Sequence, residues 1–322
     1  MADGAPDPGP DPVAAFLAAS PAAGWARAAL AGDASRRRYE RLSAPDGRTA
    51  VLMDARAEPA SVAPFLRVGA HLRALGLAAP ATLAESNGMV LLEDLGETTV
   101  AAWTVARPED ATPYEAAVDA LACLQASPPP APLYAGLVAF TPLRAAGLIA
   151  PLFEHAAPTD PRLASLLTGR LAEALAGAGT PDRLSLRDFH AENLVWRPAR
   201  EGLDRLGLLD FQDAVLAPPA YDLASLLRDA RAEVPEALRL RLLRRFADAT
   251  GATEEATAHA AAAWGVQRNL RILGLFARLA AEGRPAYLAH VPRLRRHLAA
   301  DLSHPRLLRL AEAARAVLGP LP

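Results

Sequence analysis

At 322 residues with 52% hydrophobic side chains, the chain exceeds one typical domain and can bury a sizeable core. A net charge of −2 offers no general attraction to nucleic acid or anionic membranes, and the single cysteine, Cys123, excludes an internal disulfide and suits a reducing cytosol. All 34 basic residues are arginine, so any site that ordinarily needs a lysine must do without one.

Residues 1–12, acidic and broken by proline and glycine, read as a disordered tail with no secretion signal. No stretch of about 18 uncharged apolar residues follows, so no membrane span is expected. Asp11-Pro12 starts a helix whose apolar face, Val13, Phe16 and Leu17, is predicted to continue through Trp25 and Leu30 to Gly32-Asp33. The pattern then turns to strands: S-R-R-R-Y-E-R-L, a turn at Pro45-Asp46-Gly47, and T-A-V-L-M-D. Helical spacing returns from Val62 to Leu75 and stops at Gly76, and two further strands around Ala81–Glu85 and Met89–Glu93 flank a turn at Asn87-Gly88. A small antiparallel sheet with one packed helix is therefore expected over residues 13–95, and a mostly helical lobe over residues 96–322. The fold class is α+β in two lobes. Cys123, in the apolar helical pattern A-L-A-C-L-Q, is expected as a packing residue.

Within the second lobe, Leu184 to Asp213 carries the chemistry. Asp188 and Asn193 stand in a D-x-x-x-x-N spacing, and Asp210 follows the apolar run Leu206–Leu209. Short strands at Leu184–Leu186 and Leu194–Trp196 would anchor the intervening loop at both ends and fix its polar side chains. This is the arrangement of a phosphoryl-transfer site. One carboxylate takes or orients an acceptor hydroxyl, while an amide and a second carboxylate hold a magnesium ion against ATP phosphates.

The strings L-R-D-F-H-A-E-N-L-V-W, L-G-L-L-D-F-Q-D-A and Y-D-L-A-S-L-L-R-D-A together resemble the aminoglycoside-phosphotransferase-like family of small-molecule kinases. Within that family the resemblance is nearest to the bacterial anomeric kinases of N-acetylmuramate and N-acetylglucosamine. Those kinases share G-D-A-S-x-R-R-Y, V-L-M-D-A, L-L-E-D-L-G and Q-R-x-L-x-x-L-G-x-F-A-R-L, so the resemblance runs from about Gly32 to Leu298. It implies a two-lobed protein-kinase-like fold with ATP in the cleft between the lobes.

On the nucleotide side, the resemblance places Gly32 to Ser35 in a phosphate-covering loop, with the Ser35 hydroxyl as a donor. Protein kinases set a lysine on the third strand, and here Met53 stands near that position, a departure the sugar kinases share. Positive charge is expected from Arg38, then Arg36; strand alternation puts these two on one face and Arg37 on the other. The backbone of Glu93 and Leu95 would read the adenine edge, with the Glu93 and Asp94 side chains turned to solvent.

On the acceptor side, Asp188 is the general base and Asn193 and Asp210 are the metal ligands. The family usually begins this loop with a histidine, where Leu186 stands here. His190 is placed beside the acceptor or as a brace of the loop, Asp213 at a second metal face or the acceptor, and Arg228 and Asp229 at the acceptor pocket. Asp222 matches a buried aspartate that braces the catalytic loop. Residues 261–322 hold ten arginines against three acids, Glu282, Asp301 and Glu312, a balance that disfavours polycationic acceptors and suits an anion. Arg268 and Arg271 are expected to hold a carboxylate, with Trp264 packed on a sugar ring.

The expectation is a cytoplasmic, ATP- and magnesium-dependent kinase of the anomeric hydroxyl of N-acetylmuramate or N-acetylglucosamine, serving recycling of cell-wall amino sugars. Nothing in the sequence implies a nucleic acid, a membrane or an obligate protein partner. Two alternatives stay open: a kinase of another small alcohol (an aminoglycoside, choline or homoserine), and a nucleotide-binding pseudokinase.

Overall fold

The computed structural model describes residues 11–30 and 36–322, so the expected tail lies almost wholly outside the described residues, as does Ser35. Helix α1 (Pro12–Ala18) starts where Asp11 caps it, the carboxylate accepting the Val13 N–H. It is shorter than expected. Gly24 takes a left-handed backbone, and Ala26–Ala29 joins the sheet as strand β1 instead of extending a helix. All four β1 residues are exposed, so this edge strand carries no apolar alternation for a sequence reading to detect.

The sheet continues with β2 (Arg38–Ser43), β3 (Thr49–Asp54), β4 (Thr82–Ser86) and β5 (Met89–Glu93), in the order β1-β2-β3-β5-β4 with every pair antiparallel. Both hairpin turns fall where the sequence places them. Asn87 and Gly88 have φ of 49° and 80°, the doubly left-handed geometry of a two-residue hairpin. Strand alternation then divides the sheet's residues between two faces. Leu42, Ala50, Leu52, Met89 and Leu91 pack outward against Val13, Phe16 and Leu17 of α1. Each buried leucine, methionine or phenylalanine here contributes about 2 kcal/mol of transfer free energy before entropy is counted.

The opposite face carries Tyr39, Val51, Met53, Val90 and Leu92, and its core includes Phe65, Val68 and Leu72 of α2 (Val62–Ala74). That cluster runs on without a break into the second lobe through Leu184, Leu194, Leu208 and Phe211. Phe65 stacks on Phe211 at 4.8 Å, and any side chain at Gly69 would come within 3.3 Å of the same ring. The lack of a Cβ at Gly69 lets α2 lie against the segment that bears Asp210.

The remaining helices are α3 (Val100–Ala106), α4 (Thr112–Gln125), α5 (Ala131–Tyr134), α6 (Pro142–Gly147) and α7 (Pro161–Ala176) before the catalytic stretch. After it come α8 (Ala220–Leu227), α9 (Glu236–Thr250), α10 (Glu254–Ala281), α11 (Val291–Leu302) and α12 (Leu308–Leu318). Helix α10 is the axis of this lobe. Its Trp264, Val266, Leu270 and Leu273 enter a second core with α7, α11 and α12. Two short ladders hold the catalytic stretch: β6 (Arg183–Ser185) pairs with β9 (Val215–Ala217), and β7 (Leu194–Trp196) with β8 (Leu206–Leu208). Strands β6 and β7 match the sequence reading; β8 falls on what it gave only as the apolar run Leu206–Leu209, and β9 does not figure in it. Cys123 is half-buried against the first core, as its helical pattern implies.

Candidate active site

Asp188 and Asn193 sit in a loop tied to itself at several points. The Asn193 side-chain N–H donates to the Asp188 carbonyl at 2.9 Å, and the Leu209 N–H donates to the Asn193 carbonyl at 3.0 Å, joining the loop to the segment ending at Asp210. Asp222, at the start of α8, braces the loop from below. Its carboxylate accepts from the Ser185 hydroxyl (2.8 Å), the Leu186 N–H (2.7 Å) and the Arg187 N–H (3.0 Å), as the sequence implies. Burial pushes the Asp222 carboxyl up to about 6, opposed by the Ser185 hydroxyl and the two amides. Leu186 is buried and meets Asp222 through its backbone N–H.

Two residues here take left-handed backbones: Arg187 (φ 70°) and Asp210 (φ 57°). For side-chain-bearing residues this costs about 1–2 kcal/mol each. The surrounding hydrogen bonds hold them so, immediately before Asp188 and at the second carboxylate.

Between the lobes lies a cleft of about 590 Å³, lined by Arg37, Tyr39, Arg41, Leu92, Glu93 and Leu95 from one side and by Asn193, Asp210 and Asp213 from the other. Arg37 is buried and reaches Asp210 at 3.1 Å. Arg36 and Arg38 are exposed and do not line the cleft. Arg36 and Arg37 precede β2, and it is Arg37, on the face opposite Arg36 and Arg38, that lines the cleft. Met53, on the cleft side of its strand, is sealed within the core and does not reach the cleft surface. Asp94 is not turned to solvent: it pairs with Arg41 at 2.8 Å and accepts the Gly96 N–H, fixing the segment between the lobes. Glu93 accepts the Ala81 N–H.

A second, smaller cavity of about 180 Å³ opens on the other side of Asp210. Asp188, His190, Arg228, Asp229, Arg268 and Arg271 all line it, as the sequence placed them. Among the described residues, Asp210 is the one common to the cleft and this cavity. Asp213 lines the cleft and not this cavity, away from the expected acceptor side. Trp264 is also absent from the cavity: fully buried one turn before Arg268 in α10, it packs edge-on to Tyr221 and donates to the Ala178 carbonyl.

The residues of α10 that face the cavity are Arg268, Arg271, Ile272, Leu275 and Phe276, one stripe at helical spacing. Phe276 and Arg231 were not singled out from the sequence, although Phe276 lies inside the quoted Q-R-x-L-x-x-L-G-x-F pattern. The arginines differ in commitment. Arg228 is bound to buried Asp301 at 2.7 Å, Arg231 pairs with Glu192 at 3.2 Å, and Arg268 donates to the Arg187 carbonyl (2.6 Å) and the Tyr221 hydroxyl (3.0 Å). Arg271 makes no ion pair among the described residues, and burial pulls its guanidinium below its ordinary pKa. Asp229 faces the cavity and also accepts the Ala191 N–H at 3.2 Å, a second brace on the loop. Burial lowers the pKa of His190 and keeps its ring neutral; it lies 3.3 Å from the Asn193 side-chain nitrogen.

A nucleotide-sized cleft and a small polar cavity meeting at one aspartate, on a two-lobed protein-kinase-like fold, define a phosphotransferase. Residues 27–264 match the phosphotransferase enzyme family (APH), and the chain belongs to that family. Among its relatives are the N-acetylmuramate/N-acetylglucosamine kinases of Caulobacter vibrioides, 36% identical over 92% of this chain and 93% of that protein, and of Pseudomonas aeruginosa, 32% identical over 87% and 85%. The fold is similar to a choline/ethanolamine kinase family protein from Mesorhizobium loti (TM-score 0.64, 18% identity, 94% of this chain and 98% of that one). It is similar also to APH(2")-IIia in its GDP and kanamycin complex (TM-score 0.64, 15% identity, 89% and 98%).

Proposed function

We propose that this chain transfers the γ-phosphoryl group of ATP to the anomeric hydroxyl of N-acetylmuramate or N-acetylglucosamine. The observation that carries the reading is the position of Asp210, in the wall between a nucleotide-sized cleft and a cavity that holds Asp188. The named activity of the relatives supports the choice of sugar.

In this reading Asp188 accepts the proton of the anomeric hydroxyl, whose oxygen forms the new O–P bond as the bond to the β-phosphate bridging oxygen breaks and ADP leaves. Phosphoryl transfer draws most of its acceleration from positioning and charge stabilisation, and the ties on the 186–193 loop supply the positioning. Arg37, the buried cation of the cleft, takes the role that Arg38 or Arg36 had in the sequence reading. Asn193 and Asp210 suit a magnesium ion. The amide's N–H end is engaged by the Asp188 carbonyl, which turns its oxygen outward as a hard ligand beside the Asp210 carboxylate. Such an ion would neutralise phosphate charge.

For the acceptor, four arginines and three aspartates line the cavity, a balance that suits a neutral or anionic sugar better than a polycation. Arg271, with no carboxylate partner among the described residues, is the guanidinium we assign to the lactyl carboxylate of N-acetylmuramate, while Arg268 holds the loop. Phe276 is the aromatic wall that Trp264 does not provide.

The test is a coupled ADP-release assay across N-acetylated amino sugars, aminoglycosides, choline and homoserine, with and without magnesium. Turnover with the amino sugars, dependent on magnesium, is the expected result. Turnover confined to an amino alcohol or aminoglycoside would remove the substrate assignment, and none at all would leave a pseudokinase.

A further inference from the structure

Apart from the cleft and the acceptor cavity, a third cavity of about 410 Å³ borders the catalytic loop at Arg187, next in sequence to Asp188, and shares no residue with the acceptor cavity. Its volume lies in the range of small-molecule sites. Three guanidiniums line it from separate parts of the chain: Arg67 of α2, Arg144 of α6 and Arg187. None of the three forms an ion pair among the described residues, while many other arginines here do, as Arg245 does with Asp119 at 2.7 Å. The Arg187 Nε is shut off from solvent and has no hydrogen-bond partner among the described residues. A buried N–H in that state is destabilising, and an oxygen acceptor would relieve it. The one carboxylate on the cavity wall, Asp213, accepts from the Gln212 amide at 3.2 Å. The rest of the wall is largely apolar, with Leu133, Phe140 and Leu148.

Three unmatched guanidiniums around an apolar pocket point to a ligand with a compact double negative charge on an apolar body. We propose that this cavity is a second ligand site, which binds a small organic phosphate monoester through Arg67, Arg144 and Arg187. Guanidinium forks pair with phosphoryl oxygens in charge-assisted bonds, and the apolar wall takes the organic group. The ligand would sit against the residue that precedes Asp188 and whose carbonyl holds Arg268. The site requires nothing of the acceptor's identity and stands apart from the reaction assigned above.

The experiment is isothermal titration calorimetry on the full chain with phenyl phosphate, inorganic phosphate and benzoate, at constant ionic strength set with chloride. Phenyl phosphate is expected to bind more tightly than the other two, which separates a phosphate ester from a free phosphate or a carboxylate. Its affinity should fall roughly tenfold or more in Arg67→Gln/Arg144→Gln and survive in Arg37→Ala. Arg67 and Arg144 are exposed surface residues outside the catalytic machinery, so the double variant should keep the wild-type melting temperature and basal kinase rate. No binding of phenyl phosphate to the wild type, or loss in Arg37→Ala with retention in the double variant, would overturn the proposal. The latter would mean that the probe occupies the nucleotide cleft.

Discussion

Arg37 and Asp210 meet at 3.1 Å across the cleft, joining the sheet lobe to the segment that ends the catalytic stretch. The guanidinium is buried while the carboxylate is partly open, so the pair presents both charges to whatever fills the cleft. Arg37→Ala is expected to raise the KM for ATP by roughly 10- to 100-fold, the worth of about 1.5–3 kcal/mol for a charge-assisted contact. Arg36→Ala and Arg38→Ala should stay within about twofold of the wild type. Steady-state kinetics with ATP varied would separate the three, and an Arg38→Ala loss equal to that of Arg37→Ala would refute the assignment.

Asp188 has a different part. Asp188→Asn keeps the shape and the backbone ties of the loop but removes the proposed proton acceptor. A drop in kcat of about 10²- to 10⁴-fold is expected, with the KM for ATP little changed. Turnover that survived the substitution would take the general-base role away from this residue.

Asp222 should act through stability and positioning together. In Asp222→Asn an N–H of the new amide faces donors that now share one carboxylate. A loss of about 2–4 kcal/mol in chemical denaturation, with a fall in kcat, is the expected outcome. Unchanged kcat in a destabilised protein would show that the loop keeps its geometry without this brace.

The acceptor-side assignments separate by which parameter moves. Arg271→Ala should raise the KM for N-acetylmuramate more than that for N-acetylglucosamine, since only the former bears a carboxylate. Trp264→Ala should instead cost about 3–5 kcal/mol of stability, because the indole is buried among Tyr221 and its neighbours. Milder Trp264→Phe should leave both sugar KM values unchanged. A sugar-specific effect of Trp264→Phe would return the indole to the acceptor site.

A pH dependence follows from His297, whose burial, with Arg228 nearby, holds its pKa down at about 4. The unfolded chain takes up that proton near pH 6.5, before the folded one, so stability is lost as pH falls from about 6.5 to 4, by roughly 2–3 kcal/mol. Buried Asp222 and Asp301, raised to about 6, act with the opposite sign in this window: each favours its protonated form in the fold, and that contribution is lost as pH rises. The comparison that isolates the histidine is wild type against His297→Gln by urea denaturation at pH 7 and pH 4.5. The variant should lose less stability on acidification; equal losses would assign the effect elsewhere.

Much of this architecture can be read locally. The turns at Asn87-Gly88 and Gly47, the halt of α2 at Gly76, the strands around the catalytic loop and the D-x-x-x-x-N spacing all depend on residues a few positions apart. Strand β1 escaped because an exposed alanine-rich edge has no pattern of its own; only pairing with β2 makes it a strand. The arginine of the cleft escaped for a different reason. Alternation separates Arg37 from its neighbours, but which side of the sheet faces the other lobe is settled by α1 covering the reverse face.

Sequence alone determined the identities and spacings of Asp188, Asn193 and Asp210 and the helical stripe to which Arg268 and Arg271 belong, because backbone periodicity is a short-range property. Tertiary packing decided that Arg37 enters the cleft, that Phe276 and not Trp264 lines the smaller cavity beside Asp188, and that Arg271 has no ion pair there among the described residues. Those outcomes depend on how far one element is shifted along another. A displacement of a single helical turn moves a side chain by about 5.4 Å, enough to exchange a wall of the site for a place in the core.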